Sequence, residues 1–504
     1  MTPRVDPSSL LTGSAERPAL VFRDRPVSYA ELRRAAGAIA TELDALGPGR
    51  SLEGAPVAVV APNAPAIVAA MLAVWESGAV AVPLSARLRD YELERILRDV
   101  DPAAIVSPAS HGGYRFDALW SRLGPELPAL RGCLLVDEWG GVEERVPARP
   151  EADVRSLDRD AAAILYTSGS TGAPKGAVVT HGCLLQEARV LGELLRLSEG
   201  EASALVIPAS HAFGLACLLA SLHSEGRAVL VDTTFSLDPL LEAIAATAAS
   251  VVHGSPAVFA RLLEACPDGV PGLRAGFVGG ATCPPRLIER LDATEATILN
   301  LYGMTEIGAA ACCRPDDPAE ARRSTAGAPL PGYEFRSVAS PDDGRPGELQ
   351  VRGPHVTPGY RGAPKATADA FDGDWFRTGD LGEIDGAGRL RILGRAKEML
   401  NVAGFNVFPA EVEAFLETHP DVLAAAVVGV PHERMGEAPC AFVVGRPGGT
   451  VTPQEIRRFA RAGIAGYKIP YAVEVVSELP TLSSGKPDRE ALRERAAKRG
   501  LVHA

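Results

Sequence analysis

The sequence predicts an α/β protein. A large N-terminal domain of parallel sheets flanked by helices leads into a β-rich stretch and then a smaller α+β C-terminal domain. Three observations carry that expectation. The chain has 504 residues, more than one hydrophobic core usually serves, so more than one domain is expected. Its early segments alternate between helical and strand periodicity, the pattern of a parallel sheet covered by helices on both faces. From about Tyr333 short strands separated by Gly and Pro take over, and after Gly394 a compact α+β pattern follows.

Each element has a local cause. Ser28 and Glu31 form a capping box, behind which Leu32, Ala35, Ile39, Leu43 and Leu46 recur at helical spacing until Gly47. Residues 57–60 read as a short apolar strand, 64–77 as a buried helix stopped by Gly78, 79–82 as a strand and 91–100 as a helix. Residues 125–160, rich in Pro and charge, read as a connection. An apolar strand at 161–166 resumes the pattern, with further strands at 204–207, 228–231, 251–252, 277–278 and 298–301. Several end in polar turns, and the strand ends of such sheets are where ligands bind. The β-rich part places strands at 334–338, 348–351 and 390–393. Gly394-Arg395-Ala396-Lys397 marks a boundary. Beyond it come strands at 422–428, 440–444 and 473–476 and helices at 453–461 and 488–498.

The bulk composition is that of a globular protein, 46% hydrophobic and 23% charged. A net charge of −12 argues against nucleic-acid partners and anionic membranes, so a polyanionic ligand has to meet a local cluster of cations. Eight cysteines without a CxxC pair suit reduced thiols in a cytoplasmic protein. The first residues show no secretory signal, and the longest apolar run, 64–75, is too short to span a membrane.

One segment stands out chemically. Thr167-Ser168-Gly169-Ser170-Thr171-Gly172-Ala173-Pro174-Lys175-Gly176 combines four hydroxyls, flexible glycines and one ammonium directly after a buried strand. Glycines let backbone N–H groups turn toward an anion, and hydroxyls add neutral donors, so the segment suits a polyphosphate. Its order is not that of the mononucleotide P-loop, where Lys precedes Ser or Thr at a helix start. Only six of the 51 basic residues are Lys, which concentrates attention on Lys175, Lys397 and Lys486.

The same segment resembles the signature of the acyl-adenylate-forming superfamily, which includes acyl-CoA synthetases, peptide-synthetase adenylation domains and luciferases. Four further matches follow in order: Tyr302-Gly303-Met304-Thr305-Glu306, Trp375 to Asp380, the hinge motif over 394–413, and Ser484-Gly485-Lys486. The likeness is closest to acyl-CoA synthetases. It implies a large domain, 1–394, that includes a distorted β-barrel, a hinge at 395–397 and a mobile small domain, 398–504. It also implies the reaction. A carboxylic acid attacks the α-phosphate of ATP to give acyl-AMP and pyrophosphate, and a thiol then displaces AMP.

Further roles come with the resemblance. Thr167, Ser168, Gly169, Ser170, Thr171, Gly172 and Lys175 would cradle the outer phosphates. Tyr302 and Gly303 would pack at adenine, Thr305 would donate to the α-phosphate, and Glu306 would hold Mg²⁺. Asp380 would accept the ribose hydroxyls, with Arg395 at ribose or phosphate. Lys486 would bridge the carboxylate and the α-phosphate, Lys397 would be the pivot, and Gly404, preceded by Ala403, would flank the thiol path. His211 falls where such ligases carry a gating histidine. Together with Ala212, Phe213, Gly279, Gly280, Ala281, Met304 and Gly308 it would line the acyl and adenine pocket. Ala212 lies where amino-acid-activating relatives place an Asp, so an acid without an α-ammonium, fatty or aryl, is expected. The acceptor is CoA or, in a close alternative, the phosphopantetheine of a carrier protein, with Lys468 a contact for either or a plain surface lysine. A luciferase-like oxygenase and a dead nucleotide-binding protein are the remaining alternatives. A monomer or homodimer is expected.

Overall fold

The computed structural model describes residues 10–47, 51–149, 151–167, 174–231, 237–339, 346–402, 405–432, 435–464, 466–482 and 486–500. Two large sheets dominate. In the nine-stranded sheet, Thr297–Met304, Ala275–Gly279, Val251–Gly254, Ala202–Leu205, Arg227–Leu230 and Pro18–Phe22 run side by side and parallel. In the seven-stranded sheet the parallel centre is Val80–Ser85, Pro56–Ala61, Ala104–Ser107 and Gly132–Val136. One edge of that sheet is the hairpin of Ala161–Thr167 and Lys175–Thr180.

The main core fills the space between the two sheets and includes several buried helices. Pro65–Glu76 is buried along its whole length except for its last residue, so it shows no amphipathic stripe. Tyr29–Ala45 begins with the expected box: the Glu31 N–H donates to Ser28 Oγ at 3.1 Å, and the Ser28 N–H donates to Glu31 Oε2 at 2.8 Å.

The stretch expected to be a connection, 125–160, holds two strands. Gly132–Val136 is buried, and Val142–Pro147 pairs with it at the sheet edge, exposed along most of its length. Its charged residues belong to that solvent-facing strand, which explains why composition disguised it. Helices His181–Leu195 and Ala212–His223 were also not expected. The second buries every residue from Gly214 to Leu222 and so carries no polar face to betray it.

The third sheet is antiparallel and curls as a half-barrel. Glu334–Val338 pairs with Glu348–Arg352, which pairs with Trp375–Ile384, and that strand pairs with Leu390–Arg395. A fourth sheet, built from residues after 397, joins Val422–His432, Gly436–Gly445 and Ala472–Val476. Pro409–Leu416 and Arg489–Lys498 pack against Val422–His432.

Candidate active site

The site begins at the C-terminal edge of the nine-stranded sheet. Thr297–Met304 ends with Tyr302, Gly303 and Met304, and a turn carries Thr305 and Glu306 into the antiparallel strand Gly308–Cys312. This hairpin is tight. A Cβ on Gly303 would lie 2.1 Å from the Gly308 oxygen, and Gly308 itself has φ +61. Both glycines are therefore required by the backbone, rather than serving only to leave room for an acyl chain.

The turn is fastened from three sides. The Thr357 N–H donates to the Glu306 oxygen at 2.7 Å, the Tyr333 hydroxyl donates to the Ile307 oxygen at 2.5 Å, and the Ala309 N–H donates to Glu187 Oε1 at 2.6 Å. Glu187 is a buried carboxyl on helix His181–Leu195, and burial pushes its pKa up to about 7. Sequence reasoning missed it. An acid amid Cys183, Leu184, Ala188 and Leu191 on a buried helix face was the available signal.

Tyr302 points its hydroxyl at the half-barrel and donates to Asp380 Oδ2 at 2.6 Å. Asp380 stands directly opposite Arg395 in the antiparallel register, and Arg395 Nε meets Asp380 Oδ1 at 2.7 Å. Arg395 also donates to the Thr378 oxygen, and the Asp380 N–H donates to Thr378 Oγ1. Asp380 is only 4% exposed. Burial lifts its carboxyl above the ordinary value, against the pull of Arg395 and the Tyr302 hydroxyl. Each carboxylate oxygen keeps a further acceptor direction for a ligand.

On the other side of the turn, Glu306 Oε1 accepts from the Tyr360 hydroxyl at 2.9 Å. The Lys175 ammonium lies 5.3 Å from the centre of the Tyr360 ring. Tyr360 thus links the two predicted phosphate-side residues. It too was missed, although a tyrosine inside Pro358-Gly359-Tyr360-Arg361-Gly362 is an aromatic on a turn. Lys175 pairs with Thr167 across the hairpin, at the two ends of the predicted cradle segment. Ser168, Gly169, Ser170, Thr171 and Gly172 lie outside the described residues, as do Ala403, Gly404, Ser484 and Gly485.

His211 caps helix Ala212–His223, its Nδ1 accepting the Phe213 N–H at 3.3 Å, which leaves the proton of the neutral ring on Nε2. Desolvation by the protein around it, and secondarily the charge of Lys486, push its pKa down to about 4, although the side chain itself is exposed. It is therefore neutral near pH 7. Ala212 and Phe213 are half-buried beside it, Gly280 and Ala281 are exposed, and Gly279 is buried. A Cβ on Gly279 would sit 3.5 Å from the Phe213 ring but 2.8 Å from the Leu301 oxygen.

Lys486 enters from the far side. Its side chain is exposed, although neighbouring protein shields it in part. Burial and Arg395 lower its pKa from the ordinary lysine value, while Asp380 and Glu398 oppose that. Lys397 is exposed in the turn after Arg395, where the Glu398 N–H donates to the Arg395 oxygen at 3.0 Å. The region after 397 touches helices beside the nine-stranded sheet: Arg286 Nη1 donates to the Thr418 oxygen at 2.6 Å, and Arg446 pairs with Glu264 at 3.2 Å. Lys468 pairs with Glu411 in the turn Gly466–Lys468, so its charge already has a partner.

Tyr302, Asp380 and Arg395 are thus in direct contact, the charge of Lys486 reaches Asp380, Arg395 and His211, and Glu306, Tyr360 and Lys175 form a second cluster; the space between them is the candidate cleft. Comparison with known proteins identifies the family. The model of the AMP-binding enzyme family matches residues 11–361, and that of the AMP-binding enzyme C-terminal domain matches residues 411–486. The chain belongs to the AMP-binding enzyme family. It is 35% identical over 499 residues to a 7a-methyl-1,5-dioxo-octahydro-1H-inden-4-yl propanoyl:CoA ligase of Mycobacterium tuberculosis, covering 94% of this chain and 95% of that one. It is 33% identical over 482 residues to the feruloyl-CoA synthase of an Amycolatopsis species, covering 93% and 94%.

Among solved structures, ATP-bound MatB from Rhodopseudomonas palustris superposes with a TM-score of 0.84 at 28% identity, covering 97% of this chain and 98% of that one. The apo form of the same protein reaches 0.73, covering 98% and 99%. The arrangement seen here is thus nearer the nucleotide-bound one. This family member is an AMP-forming acid–thiol ligase of the acyl-CoA synthetase type. It activates a carboxylic acid as acyl-AMP and passes the acyl group to CoA. Among the described residues no helix is long and apolar enough to cross a membrane.

Proposed function

We propose that this ligase takes an uncharged-chain or aryl carboxylic acid, with CoA as acceptor, and that the cleft described above carries the adenylation step. The observation that supports it most is the meeting of Lys486 with the Asp380–Arg395–Tyr302 cluster and His211. The acid's carboxylate oxygen attacks the α-phosphorus, and the bond to the pyrophosphate oxygen breaks. No protein nucleophile takes part, so the task is positioning and charge neutralisation.

The segment 167–172 and Lys175 take the outer phosphates, and Thr305 takes the α-phosphate. Asp380 accepts ribose hydroxyls on the lone pairs that Tyr302 and Arg395 leave over. Tyr302 and Gly303 flank adenine, with Gly280 and Ala281 opposite. Neutral His211 sits at the acid's carboxylate without adding charge, and Lys486 supplies the ammonium between carboxylate and α-phosphate. In the second step the thiol sulfur attacks the acyl carbon, the bond to AMP breaks, and the thiol proton leaves to solvent. Residues 398–504 would turn about 395–397, with Lys397 as pivot, to withdraw Lys486 and bring Gly404 to the thiol path.

The rim fits a magnesium ion carried in on the nucleotide. Glu306 offers a hard carboxylate oxygen, and the described residues contain no group of three metal-binding side chains. Such an ion usually takes one or two carboxylates together with phosphate oxygens, and its chemistry there is neutralisation of phosphate charge. Eight cysteines, all free, fit a reducing compartment such as the cytoplasm.

Ala212 offers nothing to an α-ammonium, which disfavours amino acids. The acids named for the relatives, a dioxo-indanyl propanoate and ferulate, are ring acids without such a group. Pyrophosphate release over a panel of alkyl, aryl and alicyclic acids, with and without CoA, tests the reading. Acid-dependent release with thioester formation is expected. Turnover that stops at acyl-AMP despite CoA would point to a carrier-protein acceptor instead.

A further inference from the structure

Four neighbouring parallel strands, Ala202–Leu205, Val251–Gly254, Ala275–Gly279 and Thr297–Met304, end at one edge of the nine-stranded sheet. Three of them supply the proposed site. The first leads through a short loop to His211, the third ends at Gly279, and the fourth ends at Tyr302 to Met304. Val251–Gly254 lies between contributors on either side, and its penultimate residue, His253, has no part in the adenylation chemistry.

His253 is 1% exposed. Its ring stacks on Phe277, with centroids 5.4 Å apart and planes at 20°. Its Nδ1 accepts the Phe277 N–H at 3.4 Å, so the proton of the neutral ring resides on Nε2. Burial pushes the ring's pKa down to about 3, which keeps it neutral. Among the described residues Nε2 has no hydrogen-bond partner. A buried donor without an acceptor is costly and calls for an explanation.

The strand alternation says which side this donor serves. Val251, Phe277 and Leu301 face the core that contains helix Ala212–His223, whereas Val252 and Val278 face the opposite layer. His253, directly opposite Phe277 in register, shares the first face, as does Gly279 beneath Phe213. On the proposed reading, an acid with its carboxylate at His211 and Lys486 would extend toward Gly279, which lies on the strand next to that of His253.

We propose that His253 is a specificity-determining residue, its Nε2–H receiving an uncharged oxygen acceptor on the acid's carbon skeleton, away from the carboxylate. The preferred substrates are then oxo-acids rather than plain alkyl acids of the same shape. This inference rests on the acid–thiol ligase reading of the cleft and narrows its substrate class.

Matched acids test it: cyclohexylpropanoate against its ring-oxo analogue, and an isopropyl-substituted phenylpropanoate against its acetyl isostere. The readout is kcat/KM for acid-dependent pyrophosphate release in the wild type, His253→Phe and His253→Gln. Taking the oxo-to-alkyl ratio within each protein cancels general damage to folding. The wild type is expected to favour the oxo acid by on the order of tenfold, the Phe variant to lose that preference, and the Gln variant, which keeps a donor, to retain part of it. Equal turnover of both acids by the wild type, or an unchanged ratio in the Phe variant, overturns the assignment while leaving the ligase reading intact. Release from no acid in any pair overturns that reading and this one with it.

Discussion

Asp380 and Lys486 face the same candidate cleft, yet Asp380 is held by a tyrosine hydroxyl, an arginine and its own strand pairing, whereas the Lys486 ammonium meets Asp380 and Arg395 through charge. The first arrangement exists before any substrate arrives, so little reorganisation is needed when a ribose binds. The second leaves a compact ammonium on a thin stem, the form of cation suited to arriving and departing. On the proposed roles, one corner of the site persists and the other changes. Mutations at the two should therefore fail differently.

The largest effect is expected at Lys486. Lys486→Ala should lower acid-dependent pyrophosphate release by roughly 10²–10³-fold, the usual loss when one charge-stabilising donor is removed. Thioester formation from supplied acyl-AMP should survive. Equal loss of both half-reactions would erase the distinction. At the fixed side, Asp380→Ala should raise the KM for ATP by roughly 10–100-fold, in line with loss of charge-assisted hydrogen bonds, and should impair both half-reactions because AMP is held in each. Steady-state titration of ATP and single-turnover thioester assays separate the two patterns.

A third test addresses the scaffold beneath the turn. The Glu187 pKa rises from an ordinary 4.5 to about 7, so the folded protein binds more protons than the unfolded chain between those values. Stability contributed there is present at low pH and is lost as pH rises through about 7. Glu187→Gln keeps an acceptor for the Ala309 N–H and removes that loss. Its advantage over the wild type should grow from near zero at pH 5 to about 2–3 kcal/mol at pH 8, read from urea midpoints. Glu417, also pushed up to about 7 by burial, leaves its slope in both proteins. An equal difference at both pH values would mean that Glu187 does not titrate as described. The smallest effect belongs to the contact between Arg446 and Glu264 at 3.2 Å, partly exposed on both sides. Arg446→Ala should change adenylation by less than about threefold, because such pairs contribute little. A large loss would show that the lobes are latched rather than resting together.

The features legible in the sequence were those with a local cause. The capping box at Ser28 and Glu31 is made as expected, and the strand feeding the Thr/Ser/Gly segment runs Ala161–Thr167. Helix Ala212–His223 was hidden because complete burial removes the periodicity that marks a helix. The strands at 132–136 and 142–147 were hidden because an edge strand displays its charges to solvent. Within the candidate site, the ordered motifs singled out Tyr302, Asp380, Arg395 and Lys486, and the fold brings the first three into direct contact. Glu187, Tyr360 and His253 act through partners far away in sequence: Ala309, Glu306 with Lys175, and Phe277. No spacing rule exposes a contact that only the folded sheets create.

The rung that joins Asp380 to Arg395 has one last consequence. The Ala396 N–H still donates to the Gly379 oxygen at 2.9 Å, so the ladder continues for one residue and Lys397 is the first beyond it. A swivel starting there leaves every rung intact. On the proposed roles, the sugar stays clamped throughout the swing, and the order of departure follows: pyrophosphate first, the thioester next or with the nucleotide, and AMP never before the thiol has attacked.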